Sequence, residues 1–159
     1  MQALLLDLEK CYKCTDCTAD CSYPMHPGNK GVFHLIEEAT RVIPCRHCED
    51  APCVIACPTG ALQKDGDNLH RSTFLCTSCR SCVIACPFGV NTLETIKFQN
   101  NICDLCNNGE REMVCIESCK ENALTFAEVA EDIEADIYKI SDGFYAKAVH
   151  WRKQLGLKI

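Results

Sequence analysis

Apolar residues along this chain gather into short runs separated by polar, cysteine-rich loops. The run Ala3–Leu8 reads as a first strand entering a loop at Cys11. Phe33–Thr40 has apolar residues at helical spacing and predicts a short helix, preceded by a loop containing Pro24, Pro27, Gly28 and Gly31. Ala61–Ser72 holds Asp65-Gly66 between two strand-like flanks, which is a hairpin signal. Thr92–Phe98 alternates weakly and predicts another strand. Beyond Ala127, Val129, Ile133, Ile137 and Ile140 recur near helical spacing within an acidic stretch. After Ser141-Asp142-Gly143 a second helix is expected over Phe144–Leu155, so residues 127–159 read as a helical tail. The tail is expected either to dock a partner or to pack back on the body. The fold class is α+β.

Composition changes this picture in one respect. The chain has 159 residues, of which 16 are Cys. That fraction exceeds the ~8–10% that marks a cysteine-framed fold. No apolar stretch approaches ~18 residues, so no membrane span is predicted. Ala3–Leu6 is too short for an export signal and lacks a basic start, and no twin-arginine signal precedes Cys11. A cytoplasmic location is therefore expected, where disulfides are rare and cysteine serves as metal ligand. The formal net charge of −6 has the wrong sign for a nucleic-acid surface.

The cysteines form four quartets with none left over. They are Cys11, Cys14, Cys17, Cys21; Cys45, Cys48, Cys53, Cys57; Cys76, Cys79, Cys82, Cys86; and Cys103, Cys106, Cys115, Cys119. The first and third are C-x2-C-x2-C-x3-C, the spacing that ligates [4Fe–4S] clusters. The second and fourth lengthen only the middle gap. Three close cysteines wrap a loop around one cubane, while the fourth reaches a different one. Pro58 and Pro87 fix the backbone just after two of the closing cysteines. Zinc ribbons use two separated C-x2-C pairs instead, which this spacing does not match. Four [4Fe–4S] clusters are expected.

Cys-Val-Ile-Ala-Cys-Pro occurs twice, at 53–58 and 82–87, and links the second and third quartets. Nested pairing would put Cys45, Cys48, Cys53 and Cys86 on one cluster, and Cys76, Cys79, Cys82 and Cys57 on its neighbour. The outer pair would be Cys11, Cys14, Cys17 and Cys119, and Cys103, Cys106, Cys115 and Cys21. Sequential pairing, first with second and third with fourth, is the alternative that spacing leaves open.

With these quartets, and especially His47–Cys53 and the two Cys-Pro closures, the chain resembles the four-cluster ferredoxin subunits of the dimethyl sulfoxide reductase type. It is similar in pattern to iron–sulfur subunits of formate dehydrogenases, hydrogenases, carbon monoxide dehydrogenases and tungsten aldehyde oxidoreductases. The resemblance covers about residues 1–126. It implies nested pairing, a near-linear row of clusters and a redox catalytic partner. It also implies two pseudo-symmetric bacterial-ferredoxin-like units: an outer split unit, 1–44 with 101–126, and an inner unit, 45–100. The chain departs from the pattern in closing quartets one and four with Cys21-Ser22 and Cys119-Lys120. It also lacks the long insertion that some relatives carry between quartets three and four. With neither export signal nor membrane anchor, it is expected among the soluble members.

If every iron is held by a thiolate, none is open to substrate, and metal catalysis needs an open position. No nucleophile set, phosphate loop or nicotinamide fingerprint is present. The expected function is non-catalytic electron transfer. The chain would wire a molybdenum or tungsten oxidoreductase, a hydrogenase or a carbon monoxide dehydrogenase to a second redox protein. Head-to-tail self-stacking into a filament is also compatible with a row of clusters. The alternative is an accessory or maturation factor for such an enzyme. Each oxidised cluster with its thiolates adds about −2, taking the charge to about −14. His47, Lys13, Arg46 and Arg80 lie inside cluster loops and are expected mainly as solvated loop residues.

Overall fold

The computed structural model describes residues 2–66, 68–91 and 101–159. The strand expected at Thr92–Phe98 lies outside the described residues.

Strand β1 (Gln2–Asp7) is an inner strand of the larger sheet. Ala3, Leu4, Leu6 and Leu8 are almost completely buried. Burying a leucine side chain stabilises by about 1.5–3 kcal/mol. Asp7 then caps the single turn α1 (Leu8–Cys11), its Oδ1 accepting from the Lys10 N–H at 3.1 Å. This turn delivers Cys11.

Helix α2 (Gly31–Val42) packs Val32, Leu35, Ile36 and Ala39 into the same core as the sheet. Its first residue, Gly31, sits close to its neighbours. A Cβ at Gly31 would stand 3.3 Å from both Cys21 Sγ and the Ile102 carbonyl oxygen. The helix stops at Ile43, just before Pro44, which disfavours further helix at the residue preceding it.

The middle of the chain is built from short pieces. Helix α3 (Pro52–Ile55) leads to a hairpin of β2 (Leu62–Asp65) and β3 (Asn68–Arg71), followed by α4 (Ser81–Ala85). The hairpin turns at Asp65-Gly66, as expected. After the Cys103 loop come α5 (Val114–Glu117) and β4 (Leu124–Glu128).

The tail departs from expectation. It supplies β5 (Ile137–Ser141), β6 (Phe144–Lys147) and only one helical turn, α6 (Trp151–Gln154). The sheet order is β4-β1-β6-β5, with β1 antiparallel to β4 and parallel to β6. The sheet therefore runs across the boundary expected at 126–127, and the helix expected over Phe144–Leu155 is a strand through Lys147. The reason is burial at period two. Tyr138, Phe144 and Ala146 are buried in the core. Gly143, at φ +76, supplies the turn between β5 and β6. The Asp132–Ile137 bridge replaces the helix expected around Ile133.

Candidate metal centres

Three of the four cysteine quartets are built on one local design. Helices α3, α4 and α5 each start one residue before the third cysteine, Cys53, Cys82 and Cys115. The closing cysteines Cys57, Cys86 and Cys119 follow as the turn ends. His47, Ser78 and Leu105 each stand two residues after the first cysteine, and all three are left-handed, at φ 51, 60 and 52. Ala51 and Arg80, two residues before Cys53 and Cys82, are left-handed too, at φ 39 and 64. Non-glycine residues in this region cost about 1–3 kcal/mol each and persist where the surroundings impose them. At the fourth quartet the left-handed residues run unbroken from Leu105 to Asn108. Left-handed residues in such loops turn N–H groups into concave nests that hold anions and iron–sulfur groups.

Backbone N–H groups also reach the closing sulfurs. The Val90 N–H donates to Cys86 Sγ and the Ala123 N–H to Cys119 Sγ, each at 3.4 Å and each from four residues downstream. Burial works against the Cys57 anion. It is outweighed by the Leu62 N–H, the Thr59 hydroxyl and the Thr59 and Ala61 N–H groups, which lower the thiol pKa. The Ser81 hydroxyl and N–H lower that of Cys79, which is exposed. Burial raises Cys45, and the His47 backbone N–H partly offsets it. His47 thus acts through its backbone.

Two cavities in residues 41–91 are framed by cysteines. One is lined by Cys45, Cys48 and Cys53 together with Cys86. The other is lined by Cys76, Cys79 and Cys82 together with Cys57. In each, three thiols come from one quartet and the fourth from its neighbour. Elsewhere neighbouring thiols act on one another electrostatically. Burial pushes the Cys11 thiol up to about 12, with Cys17, Cys119 and Cys14 adding to it. Burial likewise pushes Cys103 up to about 12, and Cys115, Cys21 and Cys106 contribute. Cys115 rises to about 11 through burial, then Cys106 and Cys21.

Hydrogen bonds join the first and fourth quartets. Thr18 Oγ1 donates to the Ser118 carbonyl at 2.7 Å, and the Asp20 N–H donates to Ser118 Oγ at 2.8 Å. Ser22 Oγ donates to the Glu112 carbonyl at 2.9 Å. Asn29, buried, donates through Nδ2 to Cys21 Sγ at 3.1 Å and to the Ile102 carbonyl at 2.7 Å, while its Oδ1 accepts from the Ile102 N–H at 2.9 Å. Asn101 Oδ1 accepts from the Lys30 N–H at 2.7 Å. The sequence offered no signal for these asparagines, because the bonds that join Asn29 to Ile102 and Asn101 to Lys30 span about seventy residues of chain.

Arg46 differs from the solvated residue expected. Its guanidinium lies 4.1 Å from the Trp151 ring centroid and 5.6 Å from that of Phe88. The tail thus covers the loop between Cys45 and Cys48. Lys13 and Arg80 are exposed, as expected.

The donor set fits iron–sulfur chemistry. Among the described residues no three His, Cys, Asp or Glu side chains converge on one ion position. In a cubane each thiolate binds its own iron, so four thiols frame a volume and need not meet at a point. No helix among the described residues is long and apolar enough to cross a membrane.

The 4Fe-4S dicluster domain family matches residues 39–129. The chain is 30% identical over 149 residues to the "Electron transport protein HydN" of Escherichia coli, covering 76% of this chain and 85% of that protein. It is 30% identical over 146 residues to the "Uncharacterized ferredoxin MJ0265" of Methanocaldococcus jannaschii, covering 91% and 83%. It is also 29% identical over 140 residues to the "Putative oxidoreductase AegA" of Escherichia coli, where it spans only 21% of that protein's length. With thiol-framed cavities, sulfur-directed N–H groups and these likenesses, the chain belongs to the 4Fe-4S dicluster-domain family of ferredoxin-type iron–sulfur electron-transfer proteins.

Proposed function

We propose that this chain is a non-catalytic electron conduit carrying four [4Fe–4S] clusters in nested pairing. It wires a redox catalytic subunit, of the molybdenum or tungsten oxidoreductase, hydrogenase or carbon monoxide dehydrogenase kind, to a second redox protein. The observation that carries the reading is the pair of cavities, each framed by three thiols of one quartet and one of the next. The bonds between the first and fourth quartets support an outer pair of the same kind, Cys11, Cys14, Cys17 with Cys119 and Cys103, Cys106, Cys115 with Cys21.

Each cluster, when bound, takes up and returns one electron. The chain's residues supply sixteen thiolates, exclude water where Cys45, Cys53 and Cys106 are buried, and direct N–H groups at sulfur. Such hydrogen bonds, together with burial and net charge, set cluster potential. Residues inside the closing C-x3-C are Val-Ile-Ala in the inner quartets, and Thr-Ala-Asp and Ile-Glu-Ser in the outer ones. The inner and outer pairs therefore titrate apart, and a redox titration with four coincident midpoints contradicts this. Head-to-tail stacking follows if both ends of the row accept a second copy; a sample that stays monomeric at high concentration counts against it.

The test of function is anaerobic co-purification. A catalytic partner recovered in fixed stoichiometry, with the clusters reduced on addition of its substrate, supports conduction. A cluster-free chain bound to an immature catalytic subunit supports an accessory role instead.

A further inference from the structure

Glu37, on α2, is a buried carboxylate between two arginines. Arg71, at the end of β3, donates through Nε to Oε1 at 2.5 Å and through Nη2 to Oε2 at 2.6 Å. Arg41, one turn along α2, also donates to Oε1. The three side chains are 10%, 5% and 12% exposed for Glu37, Arg71 and Arg41. Three buried charges are costly unless paired, and here Glu37 pairs with both guanidiniums, while Arg41 Nε is buried without a hydrogen-bond partner.

The two guanidiniums face different places. Arg41 lines the cavity framed by Cys45, Cys48, Cys53 and Cys86. Arg71 lines the cavity framed by Cys57, Cys76, Cys79 and Cys82, and its side chain hydrogen-bonds Cys76. One carboxylate from α2 therefore orients one fixed cation at each cavity. Arginine does not shed its proton in proteins, so these charges are permanent. Reduction adds one negative charge to a cluster. A fixed cation at its wall favours the reduced form, and Glu37 between the two opposes it.

We propose that Glu37, Arg41 and Arg71 act as a positioning triad that sets the reduction potentials of the two inner clusters jointly. This rests on the reading that both thiol-framed cavities hold clusters. Arg71 and Arg41 supply the field, and Glu37 fixes their forks and moderates both at once.

The experiment uses anaerobically prepared holoprotein, with iron and sulfide analysis and a potentiometric titration followed by electron paramagnetic resonance. Arg71→Met is expected to lower one midpoint. The shift corresponds to a tenfold or larger change in the reduced-to-oxidised ratio at fixed potential, or about 59 mV. Arg71→Lys, which keeps the charge, retains most of the native value. Glu37→Gln raises two midpoints and leaves the other two in place. If Arg71→Met fails to load clusters, Glu37→Gln decides. Fully loaded variants with all four midpoints unmoved make the triad a structural brace and overturn the inference. A wild-type protein without iron at the inner cavities instead overturns the cluster reading beneath it.

Discussion

Phe144→Ala tests whether the tail is part of the core. Phe144 is completely buried in β6, pairs with Leu4 of β1 and belongs to the cluster containing Leu4, Leu6 and Leu35. Truncating a buried phenylalanine removes its transfer energy and leaves a cavity, at a cost of about 3–5 kcal/mol. At about 2–4 °C per kcal/mol for a chain of this size, the melting midpoint falls by about 6–20 °C. The control is Phe74→Ala, at a residue 94% exposed, where a surface truncation is expected within about 0.5 kcal/mol. The assay is anaerobic thermal unfolding of holoprotein at one scan rate, followed by circular dichroism and by cluster absorbance. Because β6 borders β1, which delivers Cys11, absorbance is lost together with secondary structure. A Phe144→Ala protein that melts within about 2 °C of wild type refutes the sheet-bound tail and favours a separable arm.

Further outcomes follow from the same geometry. The Glu37 pKa is held below its ordinary value near 4.5: burial opposes this, but the Arg71 hydrogen bonds and both guanidinium charges prevail. Its stabilisation is thus fully present above that value and is lost as pH falls through the lower folded-state pKa. A Glu37→Gln protein shows a flatter acid-denaturation profile in that window, and an unchanged profile contradicts the pairing. Asn29→Ala removes three hydrogen bonds, one of them to Cys21 Sγ, and is expected to cost about 2–4 kcal/mol. It is read as faster bleaching of cluster absorbance than in wild type. With four clusters the chain carries about −14, so docking to a basic partner patch slows steeply as salt rises. An association rate indifferent to ionic strength between about 0.01 and 0.15 M counts against that charge.

The cysteine framing of the two inner cavities was legible because its logic is local. The first three cysteine quartets and the repeated Cys-Val-Ile-Ala-Cys-Pro each fit within about a dozen residues. The first strand, the Asp65-Gly66 hairpin and the helix around Phe33–Thr40 were equally local, and the structure has all three. The tail was misread although Asp142-Gly143 carries the same turn signal as Asp65-Gly66. Val129, Ile133, Ile137 and Ile140 fell at helical spacing, whereas Tyr138, Phe144 and Ala146 are the positions buried at period two. What decides between them is a vacancy beside β1, a partner more than a hundred residues earlier in the chain. Asn29 and the Glu37 triad were missed for the same reason, their partners being 73 and 34 residues away. Arg41 lay in view as an i,i+4 partner of Glu37, but only the fold brings Arg71 to the other carboxylate oxygen.

The central claim is that sixteen cysteines are four complete cluster sites. Its most direct test is the iron, acid-labile sulfide and zinc content of anaerobically purified protein, per chain. About sixteen iron and sixteen sulfide with no zinc are expected, four of each for every quartet of thiols. Iron and sulfide near eight, or bound zinc in their place, contradicts it.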